Sequence, residues 1–273
     1  MSHFAHITST SYVDAVITAE PDFIGSLPDA SDYIQCSYNT RAGVHFSPIT
    51  QSPDNVTALR GNYPSIGYFY DKSLDAFIKP APNNAKDAVL NTANFTWESY
   101  WVNLNNGISW CAIPRCASTA ISIPLAQKYC NAPSTLAYYE YADLLPWSSA
   151  PTGMAHAIIR DPLDRFCSAY AHGFPVCNNV SVDDFITWML KQNPTGLEEH
   201  FRPQSLILGS VSSVTFHDIS KDLTPLATAL GLSSIPVANT SAEPNKPTLT
   251  QNQIAKLSAY YADDIALYNK VKF

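Results

Sequence analysis

The sequence predicts an α/β fold, a parallel sheet flanked by helices, preceded by an N-terminal β-rich module. Three observations predict it. The chain changes texture near residue 105, from Pro-, Asn-, Ser-, Asp- and Tyr-rich segments to longer apolar runs. The later part alternates strand-like with helix-like runs, which implies parallel strands covered on both faces. With 273 residues, 46% hydrophobic and 14% charged, the chain can bury a sizeable core and is not disordered as a whole. The expected division is residues 1–105 and 106–273.

In the first part, short β-prone runs stand between turn signals: "YVDAVITA", "YIQCSYN", "GVHFSPI", "SIGYFYD" and "DAFIKP". The segment "KPAPNNAKDAVLNTAN" has no periodicity and reads as a linker or a surface-draped arm. In the second part, "ISWCAIP" is an apolar run followed by the helix-like "RCASTAISIPLAQKY", in which Pro124 predicts a bend or an early end. "AHAIIRD" precedes "PLDRFCSAYAHG" in the same way. "SVDDFITWMLKQ" is a helix with Ser181 as N-cap and Asp184 three residues on. "SVTFHDI" is a third strand, followed by "KDLTPLATALGL". The terminal "LTQNQIAKLSAYYADDIALYNKV" is one helix opened by Thr250 and Gln253 as a capping pair.

Charge and cysteine usage narrow the class. The net charge of −7 argues against nucleic-acid binding and against acidic membranes, while leaving room for a local basic pocket. Residues 1–105 hold 5 basic and 10 acidic residues, residues 106–273 hold 11 and 13, so cations concentrate in the second part. Charged residues are scarcer than in an average soluble protein, which fits a surface partly covered by other subunits. No apolar run is long enough to span a bilayer, and "MSHFAHITSTSYVDAV" lacks the pattern of a signal peptide. Six cysteines without a CxxC pair read as mostly free, buried thiols. In particular, Cys111 and Cys116 are expected to stay reduced. The sequons at Asn55, Asn94, Asn179 and Asn239 have no meaning without secretion.

Ligands of open α/β sheets bind beyond the carboxyl ends of the strands, and two such ends carry chemistry. In "IPRCASTAI", residues 113–121, a strand turns into small residues and then a helix. The backbone N–H groups of Cys116, Ala117, Ser118 and Thr119 can cradle a phosphate at the helix N-terminus. Arg115 adds charge and the Ser118 and Thr119 hydroxyls add donors. The alternative is an ordinary Ser/Thr-capped helix. The Gly-x4-Gly-Lys pattern of a Walker loop is absent. At the second end, "AHAIIRDPLDRFCSAYAHG", Arg160 ends the strand and Ser168 lies two turns into the helix. Together they can grip a second phosphate, with the guanidinium as a bidentate fork. Arg165 is either part of that grip or an ion-pair partner of Asp161 at i−4. Two adjacent anion sites suit a nucleotide phosphorylated at both its 5′ and 3′ positions.

These residues carry a resemblance. "IPRCASTAI" resembles the 5′-phosphosulfate loop of the sulfotransferases, and "IIRDPLDRFCSAY" their 3′-phosphate motif. "HFRPQSLIL" is similar to the His-aromatic-Arg-Pro-Gln stretch of carbohydrate sulfotransferases, and "NKPTLTQNQIAKLSAYYADDIALYN" to the family's terminal helix. The resemblance covers residues 106–273. It implies 3′-phosphoadenosine 5′-phosphosulfate (PAPS) as co-substrate, no metal, and transfer of a sulfuryl group to a hydroxyl, often on a sugar. Arg115, Cys116, Ala117, Ser118, Thr119, Arg160 and Ser168 would bind the donor. Arg115 stands where the family's loop usually has lysine; it keeps the charge but not the shape. The catalytic base is sought among His156, His172 and His200, with Glu198 and Glu199 as further candidates. His200, inside "HFRPQ", has the best claim.

The first part resembles a small module of virion proteins of tailed phages that infect cyanobacteria, over residues 10–83. The core of this likeness is Tyr70, Asp71, Asp75, Ala76, Phe77 and Ile78. The expectation is a phage-encoded sulfotransferase associated with the virion, otherwise in the host cytoplasm, contacting virion proteins or further copies of itself. The alternatives are a virion structural protein whose catalysis has faded, and a glycan-binding module.

Overall fold

The computed structural model describes residues 1–54, 56–85, 87–236 and 246–272. The sequons at Asn55 and Asn239, and the first residue of the "NKP" stretch, lie outside them. Two compact units are distinguished. The first comprises Met1–Ala81, Leu90–Trp97 and Pro175–Val180; the second comprises Pro82–Val89, Glu98–Phe174 and Ser181–Phe273.

The first unit holds an antiparallel sheet of β1 (Ser2–Ile7), β2 (Val13–Ala19) and β3 (Tyr33–Cys36) in the order β2-β1-β3, with a short helix α1 (Pro21–Gly25). Its central strand, β1, reads "SHFAHI" and was not among the expected strands. The reason is that both of its faces are covered. Ala5 and Ile7 join Val13, Cys36, Tyr70 and Phe77 in one cluster, and Phe4 joins Ala19 and Ile24 in another. Small hairpins follow: β4 (Thr40–Arg41) with β5 (Val44–His45), β6 (Phe69–Asp71) with β7 (Ala76–Ile78), and β8 (Val89–Asn91) with β9 (Thr96–Glu98). Of the last of these, β8 falls in the segment read as an arm and β9 just beyond it.

The Tyr-Asp-x-x-x-Asp-Ala-Phe-Ile motif is the β6–β7 turn. Asp71 Oδ1 accepts from the backbone N–H groups of Ser73 (2.8 Å) and Leu74 (3.1 Å) and from the Ser73 hydroxyl (2.6 Å). Asp75 sits in the left-handed region at φ 48° and takes hydrogen bonds from Tyr70 and Arg60. The motif is thus a self-capping turn that delivers Ala76, Phe77 and Ile78 to the interior, all three buried.

The second unit is built on a five-stranded sheet of order β12-β10-β11-β13-β14. The strands are β10 (Trp101–Asn103), β11 (Ile108–Cys111), β12 (Trp147–Ser148), β13 (Met154–Ile159) and β14 (Val214–Asp218). The expectation of a parallel sheet holds for β11, β13 and β14 only. β10 runs antiparallel to both β11 and β12, so the sheet is mixed. β10 is joined to β11 by a tight hairpin around Gly107, a connection too short for a parallel crossover. It also lies before residue 106, where the second part was expected to begin. Gly153 allows β13 to start against β11: a Cβ there would lie 2.1 Å from the carbonyl oxygen of Gly107, whose φ is +80°.

Helices α2 (Ser118–Tyr129), α3 (Tyr138–Leu144), α4 (Pro162–His172), α5 (Val182–Met189), α6 (Gln204–Leu208), α7 (Thr224–Ala229), α8 (Gln251–Tyr260) and α9 (Ala262–Val271) complete the unit. α2 continues through Pro124 rather than ending there. The terminal helix, expected as one, breaks between Tyr260 and Ala262. Tyr261 leaves the helix at φ −98°, and its buried hydroxyl donates to the Phe201 carbonyl at 2.6 Å. Trp101, Trp110, Ile113, Ile121, Leu125 and Leu145 are fully buried in the core behind β11. Each large apolar side chain stabilises by about 1.5–3 kcal/mol. Cys36, Cys111, Cys116, Cys130 and Cys167 are free thiols. Among the described residues no helix is long and apolar enough to cross a membrane.

Candidate functional site

The site forms where β11 and β13 end and α2 and α4 begin. β11 passes into Ala112, Ile113 and Pro114, all buried, and then into a turn closed by the Cys116 N–H on the Ile113 carbonyl at 3.1 Å. Arg115 and Ala117 both adopt left-handed backbone, at φ 65° and 57°. That conformation costs a non-glycine residue about 1–2 kcal/mol. Such strain concentrates at functional sites; of the N–H groups expected to cradle a phosphate, that of Cys116 is taken by the Ile113 carbonyl instead. Ala117 is the N-cap of α2 and makes no side-chain cap hydrogen bond, which is also the case at α1, α7 and α9. By contrast, Asp161 caps α4, Ser181 caps α5 and Thr250 caps α8, the last as the expected box with Gln253. A 12-residue helix with a bare positive end favours an anion.

The second strand end meets the first. The Arg115 guanidinium donates to Ser168 Oγ through Nε (3.0 Å) and Nη2 (2.7 Å). Arg160 Nη1 donates to the Arg115 carbonyl at 3.1 Å, and Arg160 Nε to Asp164 Oδ2 at 2.7 Å. Arg115, Arg160 and Ser168 are therefore brought together. Arg165 is not the ion-pair partner of Asp161. Asp161 Oδ1 is spent on the N–H groups of Leu163 and Asp164 in its own helix. Arg165 is instead buried and donates to three carbonyls: Pro114 (2.8 Å), Arg202 (2.8 Å) and Glu199 (2.9 Å). This clamp ties the "HFRPQ" stretch to the loop that leads into α2.

Three residues reinforce the clamp. Gln204, fully buried, donates from Nε2 to the Arg160 carbonyl (2.9 Å), while its Oε1 accepts from the Arg160 N–H (3.1 Å) and the Cys116 thiol (3.3 Å). Asp264 accepts the N–H groups of Gln204 (2.6 Å) and Ser205 (2.8 Å). Arg202 donates to the Leu197 carbonyl, to Tyr100 Oη at 3.0 Å and to Glu98. Sequence reasoning quoted Gln204 and Asp264 within motifs without giving either a role. Neither role is legible locally, because Gln204 meets Arg160 44 residues away and Asp264 60 residues away. Burial pushes the Cys116 thiol up to about 11, so it stays protonated and serves as a hydrogen-bond donor.

The histidines divide into two groups. His156 lies inside β13 and not at its end. Its Nδ1 is 3.1 Å from His217 Nε2, and the two rings stack at 5.4 Å. Burial lowers the pKa of both, and the neighbouring His156 lowers that of His217 further. His156 is thereby a neutral partner within the sheet. His172 and His200 are brought together through Phe174, whose ring centroid lies 4.6 Å from the first and 3.7 Å from the second. Glu198 Oε1 is 2.7 Å from His200 Nδ1, and Glu198 Oε2 accepts the His200 N–H at 3.0 Å. This carboxylate–imidazole pair fixes the ring and leaves Nε2 as the atom that can take a proton. Glu198, Glu199 and His200 also bring ligand atoms within 4.8 Å of one another, but both Glu198 oxygens already serve His200.

The arrangement joins the Arg115–Thr119 loop at one strand end, Arg160 and Ser168 at the other, and His200 on a stretch tied to both through Arg165 and Gln204. The family model described as the sulfotransferase family matches residues 98–270. Comparison with curated proteins and with solved structures found no match. The family match spans well over half of the 273 residues, from β9 into α9, and the chain belongs to the sulfotransferase family.

Proposed function

We propose that the protein transfers a sulfuryl group from PAPS to a carbohydrate hydroxyl. The observation that carries this reading is the meeting of the two strand ends at Arg115, Arg160 and Ser168. The bare N-terminus of α2 and the loop from Arg115 to Thr119 would hold the 5′-phosphosulfate. Arg160 and Ser168 would hold the 3′-phosphate. His200 would act as general base, with Nδ1–H donated to Glu198 and Nε2 open to the acceptor. The acceptor oxygen forms a bond to sulfur as the bond from sulfur to the bridging phosphate oxygen breaks. The hydroxyl proton passes to His200, and adenosine 3′,5′-bisphosphate leaves. Arg115 and the α2 N–H groups meet the negative charge that develops on the bridging oxygen.

Arg115 also supports a second reading, a binding protein on which catalysis has faded, because arginine stands where the family's loop usually has lysine. In either case the likeness of residues 10–83 to a virion module supports a position on a phage particle, through contacts with virion proteins or copies of this chain. Incubation with PAPS and a panel of glycans, read as an 80 Da mass gain on the acceptor, tests the first reading; nucleotide binding without any mass gain would favour the second.

A further inference from the structure

Asp164 stands one turn before Ser168 on the same face of α4. Arg160 Nε sits on its Oδ2 at 2.7 Å, and Lys246 Nζ sits on its Oδ1. One carboxylate thus holds two cations on two different oxygens, as a phosphate would. Arg115 lies on Ser168 a turn away, so three cations converge on one helical face. Asp161, the neighbouring carboxylate, is turned to the N–H groups of its own helix. The Asp164 side chain is 43% exposed and that of Lys246 38%. Contacts of that kind are weak and readily exchanged, whereas a phosphate monoester carries nearly two charges near neutral pH and forms stronger charge-assisted bonds. Burial works against the Asp164 charge, yet the bonds from Lys246 and Arg160 outweigh it and keep the group ionised.

We propose that Asp164 is a placeholder that keeps Arg160 and Lys246 converged until the 3′-phosphate of the donor displaces it, and that Lys246 is a binding residue of that phosphate. This rests on the donor reading above. Lys246 lies outside both strand-end motifs, which is why sequence reasoning passed over it.

Titration calorimetry of the full chain with adenosine 3′,5′-bisphosphate and with adenosine 5′-monophosphate separates the two ideas. The unaltered protein should bind the bisphosphate more tightly. Lys246→Met should remove about tenfold of that preference while leaving the monophosphate affinity as it was. Asp164→Asn should tighten bisphosphate binding several-fold, since the competing charge is gone. A preference that survives Lys246→Met, or bisphosphate binding that weakens in Asp164→Asn, overturns the placeholder with the donor site intact. Failure of the unaltered protein to bind either nucleotide, or equal binding of both, removes the donor reading and the placeholder with it.

Discussion

Arg160 and Arg165 stand five residues apart in one motif and use their guanidinium groups in opposite ways. Arg165 is buried and gives its donors to backbone carbonyls from two separate stretches, so every bond it makes fixes the chain. Arg160 makes one bond to a backbone carbonyl, that of Arg115, and gives its Nε to the exposed carboxylate of Asp164, which another anion can replace. Sequence spacing makes the two look alike. What separates them is whether the partner is permanent. Carbonyls of a folded loop cannot leave, whereas a surface carboxylate can rotate away at little cost.

That comparison can be broken most sharply at Arg165. Arg165→Ala leaves three carbonyls without their donor and should cost about 3–5 kcal/mol in urea unfolding. Arg165→Lys, which keeps the charge and loses the fork, should recover only part of it. Arg160→Ala should change stability by about 1 kcal/mol or less. Similar losses at the two positions would show that Arg160 is as structural as Arg165.

The histidines repeat the contrast. His200 faces a carboxylate with one ring nitrogen left open, whereas His156 is matched to His217 inside the sheet. If transfer is detected, His200→Ala should lower turnover by about 10²- to 10⁴-fold without weakening nucleotide binding, and His156→Gln should leave the turnover pH profile in place. A smaller effect comes from the buried pair. The unfolded state takes up protons at an ordinary histidine pKa near 6.5, whereas the folded pair resists them. The pair's contribution is therefore complete above about pH 6.5 and is lost as pH falls below it through the lower folded values. Unfolding midpoints at pH 7.5 and 5.5 should diverge less in His217→Gln than in the unaltered chain. A change comparable to that at Arg160 is expected at the start of α8, where Thr250→Ala should cost about 1 kcal/mol by removing the cap.

Local rules account for the legible part of the fold. The strand–loop–helix runs at 108–129 and 154–172, the Ser181 cap and the Thr250–Gln253 box depend on neighbours within a few residues. Features set by distant partners were not legible. β1 is a strand because two clusters cover it, although three of its six residues are Ser or His. β10 is antiparallel because of a hairpin at Gly107, and the break at Tyr261 follows from a bond to Phe201, sixty residues away. In the candidate site, the i−4 spacing pointed Arg165 at Asp161, but helix capping had the prior claim on that carboxylate. The arginine's real partners, Pro114, Glu199 and Arg202, come from two other stretches of the chain. Gln204, Asp264 and Lys246 were invisible as members of the site for the same reason.

The central claim is that the two strand ends form one nucleotide site, and thermal unfolding with adenosine 3′,5′-bisphosphate tests it most directly. A ligand that binds the native state alone raises the melting temperature by mass action. The unaltered protein should show that rise, growing with nucleotide concentration, and Arg160→Ala should show none while melting near the same temperature in its absence. No rise at millimolar nucleotide in the unaltered protein, or an equal rise in both, would contradict the account.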